Sequence, residues 1–106
     1  MTNIPEIDDI LIALADPTRR AILHALKAGA MPVGVLAEGL PVSRPAVSQH
    51  LRVLSDAGLL VVTPQGNRRL YSLAPDGMRN LRAYLDDLWD DALGASANAA
   101  HARANL

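Results

Sequence analysis

Between Ser43 and Leu54 the chain places two kinds of side chain on opposite sides of one helical repeat. Val47, Leu51 and Leu54 form a single apolar stripe, which leaves Arg44, Pro45, Ser48, Gln49 and Arg52 facing away from it. A guanidinium is a fork of donors that fits guanine or phosphate, and a primary amide carries the donor and acceptor that fit adenine. Pro45 and Ala46 keep the leading end slim, so that the backbone can approach a groove floor, and the N-terminus of the helix adds a field that favours phosphate. His50 is suited to a hydrogen bond to phosphate or to its own domain. Further along, Asn67, Arg68 and Arg69 sit at or just beyond a turn. Any one of these residues alone is an ordinary solvated side chain. Together, a slim polar helix followed by a basic hairpin is equipment for reading double-stranded DNA.

Other chemistries are poorly supplied. With no cysteine the chain forms no disulfide, thiolate metal site or thiol nucleophile. No nucleophile–base constellation or phosphate loop is present, so an enzyme is not expected. Asp86, Asp87, Asp90 and Asp91 repeat at i, i+4 spacing, which reads as a solvated acidic face. His24, between Leu23 and Ala25, reads as a partly buried structural residue. The formal net charge is only -1, but its distribution is uneven. Residues 1–16 sum to -4, residues 41–73 to +3 and residues 74–95 to -3. One basic surface between acidic ends suits a protein that meets phosphate on a single face. Residues 1–9 lack the basic flank of a signal peptide, and no apolar run approaches a membrane span. A cytoplasmic protein with no membrane contact is expected.

The elements that must hold these residues follow from periodicity and punctuation. Ile4, Ile7, Ile10, Leu11 and Leu14 make a first amphipathic helix. Asp16-Pro17 caps and starts a second, which carries Ile22, Leu23 and Leu26 and stops near Gly29. Pro32 to Glu38 makes a short third helix with Val35 and Leu36 inward, broken at Gly39-Leu40-Pro41. Ser43 caps the fourth helix, which ends at Ala57-Gly58. Leu59 to Thr63 and Arg68 to Leu73 then read as two strands around a turn at Pro64-Gln65-Gly66-Asn67. A last helix begins near Pro75 with Met78, Leu81, Leu85, Leu88 and Ala92 on one face and Trp89 beside them. The expected fold is mainly α with a small β-hairpin wing, in the order α-α-α-α-β-β-α. Residues 1–95 form the domain, and residues 96–106 are an Ala-rich tail that frays or extends the last helix.

Three separated segments carry a resemblance. Leu14-Ala15-Asp16-Pro17-Thr18-Arg19-Arg20-Ala21-Ile22-Leu23 resembles the second-helix signature of the ArsR/SmtB family of winged helix-turn-helix regulators. Val42-Ser43-Arg44-Pro45-Ala46-Val47-Ser48-Gln49-His50-Leu51, with Val53-Leu54 and Ala57-Gly58-Leu59, resembles the family's recognition helix and its exit into the wing. Gly66 with Arg69-Leu70-Tyr71-Ser72-Leu73 resembles the returning wing strand. The resemblance implies a homodimer that represses transcription by occupying a two-fold symmetric operator. It places DNA contacts at Ser43, Arg44, Pro45, Ser48, Gln49, His50, Asn67, Arg68 and Arg69, and Arg52, on the outward row of the same helix, joins them as a candidate contact.

The dimer also has support from the chain itself. One domain of this size offers few contacts for a specific site, and two half-sites solve that. Ile7, Leu11, Leu81, Leu85, Leu88 and Trp89, on the terminal helices, exceed what one small core needs and are the expected interface. The family's metal patterns are absent. Met31 to Glu38 holds no cysteine, and Asp76, Asp90 and Asp91 have no imidazole at a ligand's spacing. No metal or other cofactor is expected. Control then rests either on an unidentified small organic effector near Tyr84 and Trp89 or on protein level, including repression of the chain's own gene. The competing function is a winged helix used only for protein–protein contact, which predicts no salt-dependent binding to duplex DNA and no need for Arg44, Arg68 and Arg69.

Overall fold

The computed structural model describes residues 6–104, with side chains as far as Gly94. Ile4 and the side chains of the 96–106 tail, His101 and Arg103 among them, lie outside the described residues. Five helices and one hairpin follow in order: α1 (Ile7–Leu14), α2 (Pro17–Leu26), α3 (Val33–Glu38), α4 (Arg44–Asp56), β1 (Leu60–Gln65), β2 (Arg68–Leu73) and α5 (Pro75–Ala104).

Local chemistry sets the helix ends. The Asp16 carboxylate accepts the backbone N–H groups of Thr18 at 2.8 Å and Arg19 at 3.0 Å, and Pro17 occupies the first helical position, where no N–H is needed. The bond from the Arg19 N–H is the largest influence holding the Asp16 carboxyl below the ordinary carboxylate range. Partial burial opposes it, and the Thr18 N–H and the charges of His50 and Arg19 add to it. Arg19 and Arg20 then reach back to the end of α1. Arg19 donates to the carbonyls of Ala13 at 2.6 Å and Ile12 at 3.1 Å, and Arg20 donates to that of Leu14 at 2.8 Å. Two guanidinium groups therefore bind the last carbonyls of α1, at its negative end, where those of Ala13 and Leu14 lack the next helical turn and that of Ile12 also accepts the Ala15 N–H.

The exit of α4 is a Schellman turn. Gly58, at φ +80°, donates to Ser55, and Leu59 donates back to Leu54, while both leucines are fully buried. The core lies where α1, α2 and α4 meet, with Ile10, Ala13, Ile22, Leu36, Val47, Leu51, Leu54 and Leu59 packed together. Val47, Leu51 and Leu54 are the stripe expected of α4. On α3, however, Val35 is exposed while Leu36 is buried. Neighbouring helical residues point about 100° apart, so a single six-residue helix can centre only one of them on the core.

The hairpin is tighter than the sequence suggested. β1 continues through Pro64 and Gln65, which pair with Arg69 and Arg68, so the turn is only Gly66-Asn67. Gly66 has φ +60°, and among the described residues no non-glycine residue has positive φ, the pattern of a type II′ turn. Pro64 is tolerated because a two-stranded ribbon consists of edges, where a missing N–H faces solvent. An isolated two-stranded hairpin is marginal in water. This one is fastened at its base, where Met31 and Tyr71 exchange both backbone hydrogen bonds at 2.9 Å.

Candidate nucleic-acid interface

The break between α3 and α4 turns the N-terminus of α4 outward from the core. Ser43 holds that end, its Oγ accepting the Ala46 N–H at 3.3 Å. Ser43, Arg44, Pro45, Ser48, Gln49 and Arg52 are all exposed, while Val47 and Leu51 beneath them are fully buried. Buried anchors leave the outer row little freedom to tilt, and a helix that reads base edges needs that rigidity. The Arg52 guanidinium lies 4.0 Å from Asp56 one turn on, with both side chains largely exposed. Such a surface pair contributes little, so a phosphate can replace the carboxylate at small cost.

Arg44 does not share the outward row of Gln49. Its guanidinium lies over Gly34 of α3, where a Cβ would stand 3.8 Å away. There it joins the wing in lining a groove of about 440 Å³, whose other walls include Gly34, Glu38, Asn67, Arg68, Arg69 and Tyr71. Arg44 thus converges with the consecutive Arg68 and Arg69 of the wing on one groove, with Glu38 as the acid among its lining residues. Arg69 and Tyr71 share one face of β2, Asn67 sits in the turn, and Arg68 opens the strand beside it, paired with Gln65.

His50 is half-buried, unlike its neighbour Gln49, which is exposed. Gln49 and His50 are helical neighbours about 100° apart, so one can face out while the other flanks the core. His24, expected to be partly buried, is exposed.

The terminal helices divide into a buried part and a bare part. Ile7 and Leu81 pack against the monomer core. Beyond Leu81, Leu85, Leu88 and Leu93 are each 51% exposed and Trp89 is 65% exposed; on α1, Ile12 is 64% exposed and Leu11 38%. Of the six expected interface residues, Leu11, Leu85, Leu88 and Trp89 remain open and Ile7 and Leu81 are largely used at home. Ile12 belongs with the open set, although the sequence pattern did not single it out. Its neighbour Ala13 takes the core position instead. Among the described residues no three His, Cys, Asp or Glu side chains converge as metal ligands, and no helix is long and apolar enough to cross a membrane.

Comparison with known proteins agrees with this arrangement. Residues 14–63 match the model of a helix-turn-helix domain. The chain is 57% identical over 81 residues to the HTH-type transcriptional regulator Rv2034 of Mycobacterium tuberculosis, covering 76% of each protein. It is 39% identical over 67 residues to the transcriptional repressor SdpR of Bacillus subtilis, covering 63% of this chain and 74% of SdpR. The ArsR-like transcriptional regulator from Rhodococcus sp. RHA1 superposes with a TM-score of 0.73 at 30% identity, over 88% of this chain and 91% of that one. The chain belongs to the ArsR family. The solution structure of Mb0332 from Mycobacterium bovis, a homodimeric winged helix-turn-helix DNA-binding domain, superposes with a TM-score of 0.66 at 26% identity, over 80% of this chain and 79% of that fragment. In this ArsR-family chain the paired helices of the motif are α3 and α4, and the wing is β1–β2. The joint between α1 and α2, made by Arg19 and Arg20, falls within the signature segment that the sequence shares with the family.

Proposed function

We propose that this ArsR-family chain is a cytoplasmic, sequence-specific transcriptional repressor that binds a two-fold symmetric operator as a homodimer and has no catalytic role. The observation that carries this reading is that Ser48 and Gln49 are exposed on the helix whose first residue, Arg44, lines one groove with Asn67, Arg68 and Arg69. Base edges and phosphates lie side by side in duplex DNA, and this surface offers an amide reader next to a cationic clamp. Ser48 and Gln49 read bases in the major groove. Arg44, Arg68 and Arg69 hold phosphates, with Arg52 as a further phosphate contact. Ser43 and Pro45 shape the leading end, and His50 positions α4 against α2. Leu11, Ile12, Leu85, Leu88 and Trp89 meet their copies across the two-fold axis, an assembly that Mb0332 supports as a homodimeric relative.

Binding to a fluorescent duplex carrying the promoter of the chain's own gene, titrated across salt against scrambled DNA, tests the reading. Tight, salt-sensitive and promoter-selective binding is the expected result. Equal weak binding to both duplexes would replace it with a protein-interaction role.

Two substitutions separate the two halves of the surface. Gln49→Ala is expected to cost about 1–3 kcal/mol on the preferred operator and to flatten base preference at one half-site position. A panel of operators substituted at single positions measures this. Replacing Arg68 and Arg69 together by alanine should weaken binding to every sequence alike. It should also reduce the slope of log K against log salt by about 0.9 for each phosphate no longer neutralised, summed over both protomers. An unchanged slope would remove the wing from the interface.

A further inference from the structure

We infer that the cleft between α2 and the start of α5 is a binding site for a small monocarboxylic acid with an apolar body of about six carbons. It is separate from the DNA surface and rests on the proposed function only for its regulatory meaning. Leu14, Leu23, Leu73, Met78 and Leu81 wall the cleft, and its mouth is formed by His24 and Lys27. All five wall residues are apolar side chains left partly uncovered by the core. The volume is about 150 Å³, the size of an apolar cavity that accepts benzene.

The mouth gives the ligand its sign. His24 and Lys27 lie three residues apart on α2 and so share a face, both are exposed, and among the described residues no acidic side chain lines the cleft. Lys27 is the single lysine of the sequence, and among the described residues no carboxylate lies within ion-pair distance of it. An apolar hole with the Lys27 ammonium among its exposed lining residues and no carboxylate in its walls fits an amphipathic anion, with the tail inside and the carboxylate at Lys27 Nζ.

Position gives the site a use. Its walls come from α1, α2, the end of β2 and the first turns of α5. The last of them, Leu81, is followed one turn later by the bare stripe from Leu85 onward. An occupant therefore stands between the DNA-binding body and the helix proposed to join two copies, where a small shift in helix angle is carried to the spacing of the two recognition helices.

Methyl-resolved NMR of the full chain without DNA, titrated with sodium hexanoate and in parallel with 1-hexanol, tests the site. Hexanoate should give saturable shifts at Leu14, Leu23, Leu73, Met78 and Leu81, and hexanol weaker ones at the same methyls. Lys27→Gln should raise the hexanoate Kd about threefold, the size of one exposed ion pair, and leave hexanol unchanged. Met78→Trp, which fills the cleft, should abolish both sets of shifts while the remaining methyl spectrum stays folded. Unsaturated shifts, shifts centred on Leu85 to Leu93, or a Lys27→Gln variant that binds hexanoate like the parent would overturn the assignment. Because no DNA is present, such a failure leaves the repressor reading standing, and loss of operator binding elsewhere leaves this site standing.

Discussion

Leu88→Asp is expected to give a folded monomer that no longer binds the operator. Leu85, Leu88, Trp89 and Leu93 leave half or more of their surface to solvent in one copy of the chain, and they follow one another on the outer length of a 30-residue helix. A helix of that length spans about 45 Å, well beyond the small core it starts from. Contiguous apolar surface of this kind marks an interface. In a two-fold contact each residue enters twice. The substitution therefore removes two leucines from the seam and places two carboxylates there, each needing to be desolvated or to hold the helices apart. Loss of about 1 kcal/mol of apolar burial per copy, together with about 1–3 kcal/mol for each misplaced polar group, weakens dimerisation by at least about 1,000-fold. Sedimentation across a concentration series reads the mass, and anisotropy on the operator duplex reads the coupled loss. Circular dichroism should be unchanged, because Leu88 is outside the monomer core. Asp90→Ala, on the acidic side of the same helix, should leave mass and binding as they are. A Leu88→Asp variant that stays dimeric would move the interface elsewhere.

Local signals made most of this fold legible in the sequence. The stripe Val47, Leu51 and Leu54, capped by Ser43 and led by Pro45, needs only period and capping chemistry to be read, and all three stripe residues are fully buried. The Asp16-Pro17 start and the Gly58 exit are likewise written within a few residues of where they act. What escaped was non-local or depended on which of two neighbours wins one place. The Met31–Tyr71 bridge joins residues distant in sequence, and nothing around Met31 announces a strand. The tight Gly66-Asn67 turn was hidden because Pro64 and Gln65 look like turn residues, although each fits an edge position.

The site divides in the same way. An outward row on α4 could be read from the helix alone, whereas which of its side chains turns toward the wing could not. Arg44 and Gln49 both carry donors, but Gly34 gives Arg44 room to lie along α3 toward the wing. His50 had two roles open in the sequence, phosphate or its own domain, and helix geometry leaves it half-buried beside the exposed Gln49. Arg19 and Arg20 are charged residues in a shared signature, yet their donors go to the last carbonyls of α1. Charge in a motif of a DNA-binding family is therefore no sign by itself of contact with DNA.

Gly77→Ala is expected to destabilise the protein by about 1–3 kcal/mol, opposite to the usual effect of this substitution inside a helix. In an unhindered helix, alanine is better than glycine by roughly 1 kcal/mol, because glycine loses more backbone freedom on folding. Here a Cβ at residue 77 would stand 2.1 Å from the Gly58 carbonyl oxygen, 2.9 Å from its carbon and 3.2 Å from Leu59 Cα. All three are backbone atoms, so no side chain can swing aside. Gly58 cannot retreat easily either, since it is the left-handed residue of the Schellman turn that ends α4. The first turn of α5 must then lift, stretching the 2.9 Å bond from the Ala74 N–H to the Leu59 carbonyl and opening the cover over Leu59, which is fully buried. Urea unfolding followed by circular dichroism measures the change. Gly94→Ala, in the same helix with nothing within 4 Å of its would-be Cβ, is the matched control and should stabilise by about 0.5–1 kcal/mol. If Gly77→Ala proved as stable as the Gly94 variant, the two backbones would not approach this closely. The consequence reaches function, because this contact sets the angle at which α5 leaves the recognition helix. Two copies joined along α5 inherit that angle as the distance between their reading heads, so even a Gly77→Ala protein that folds should bind the operator more weakly than its stability alone accounts for.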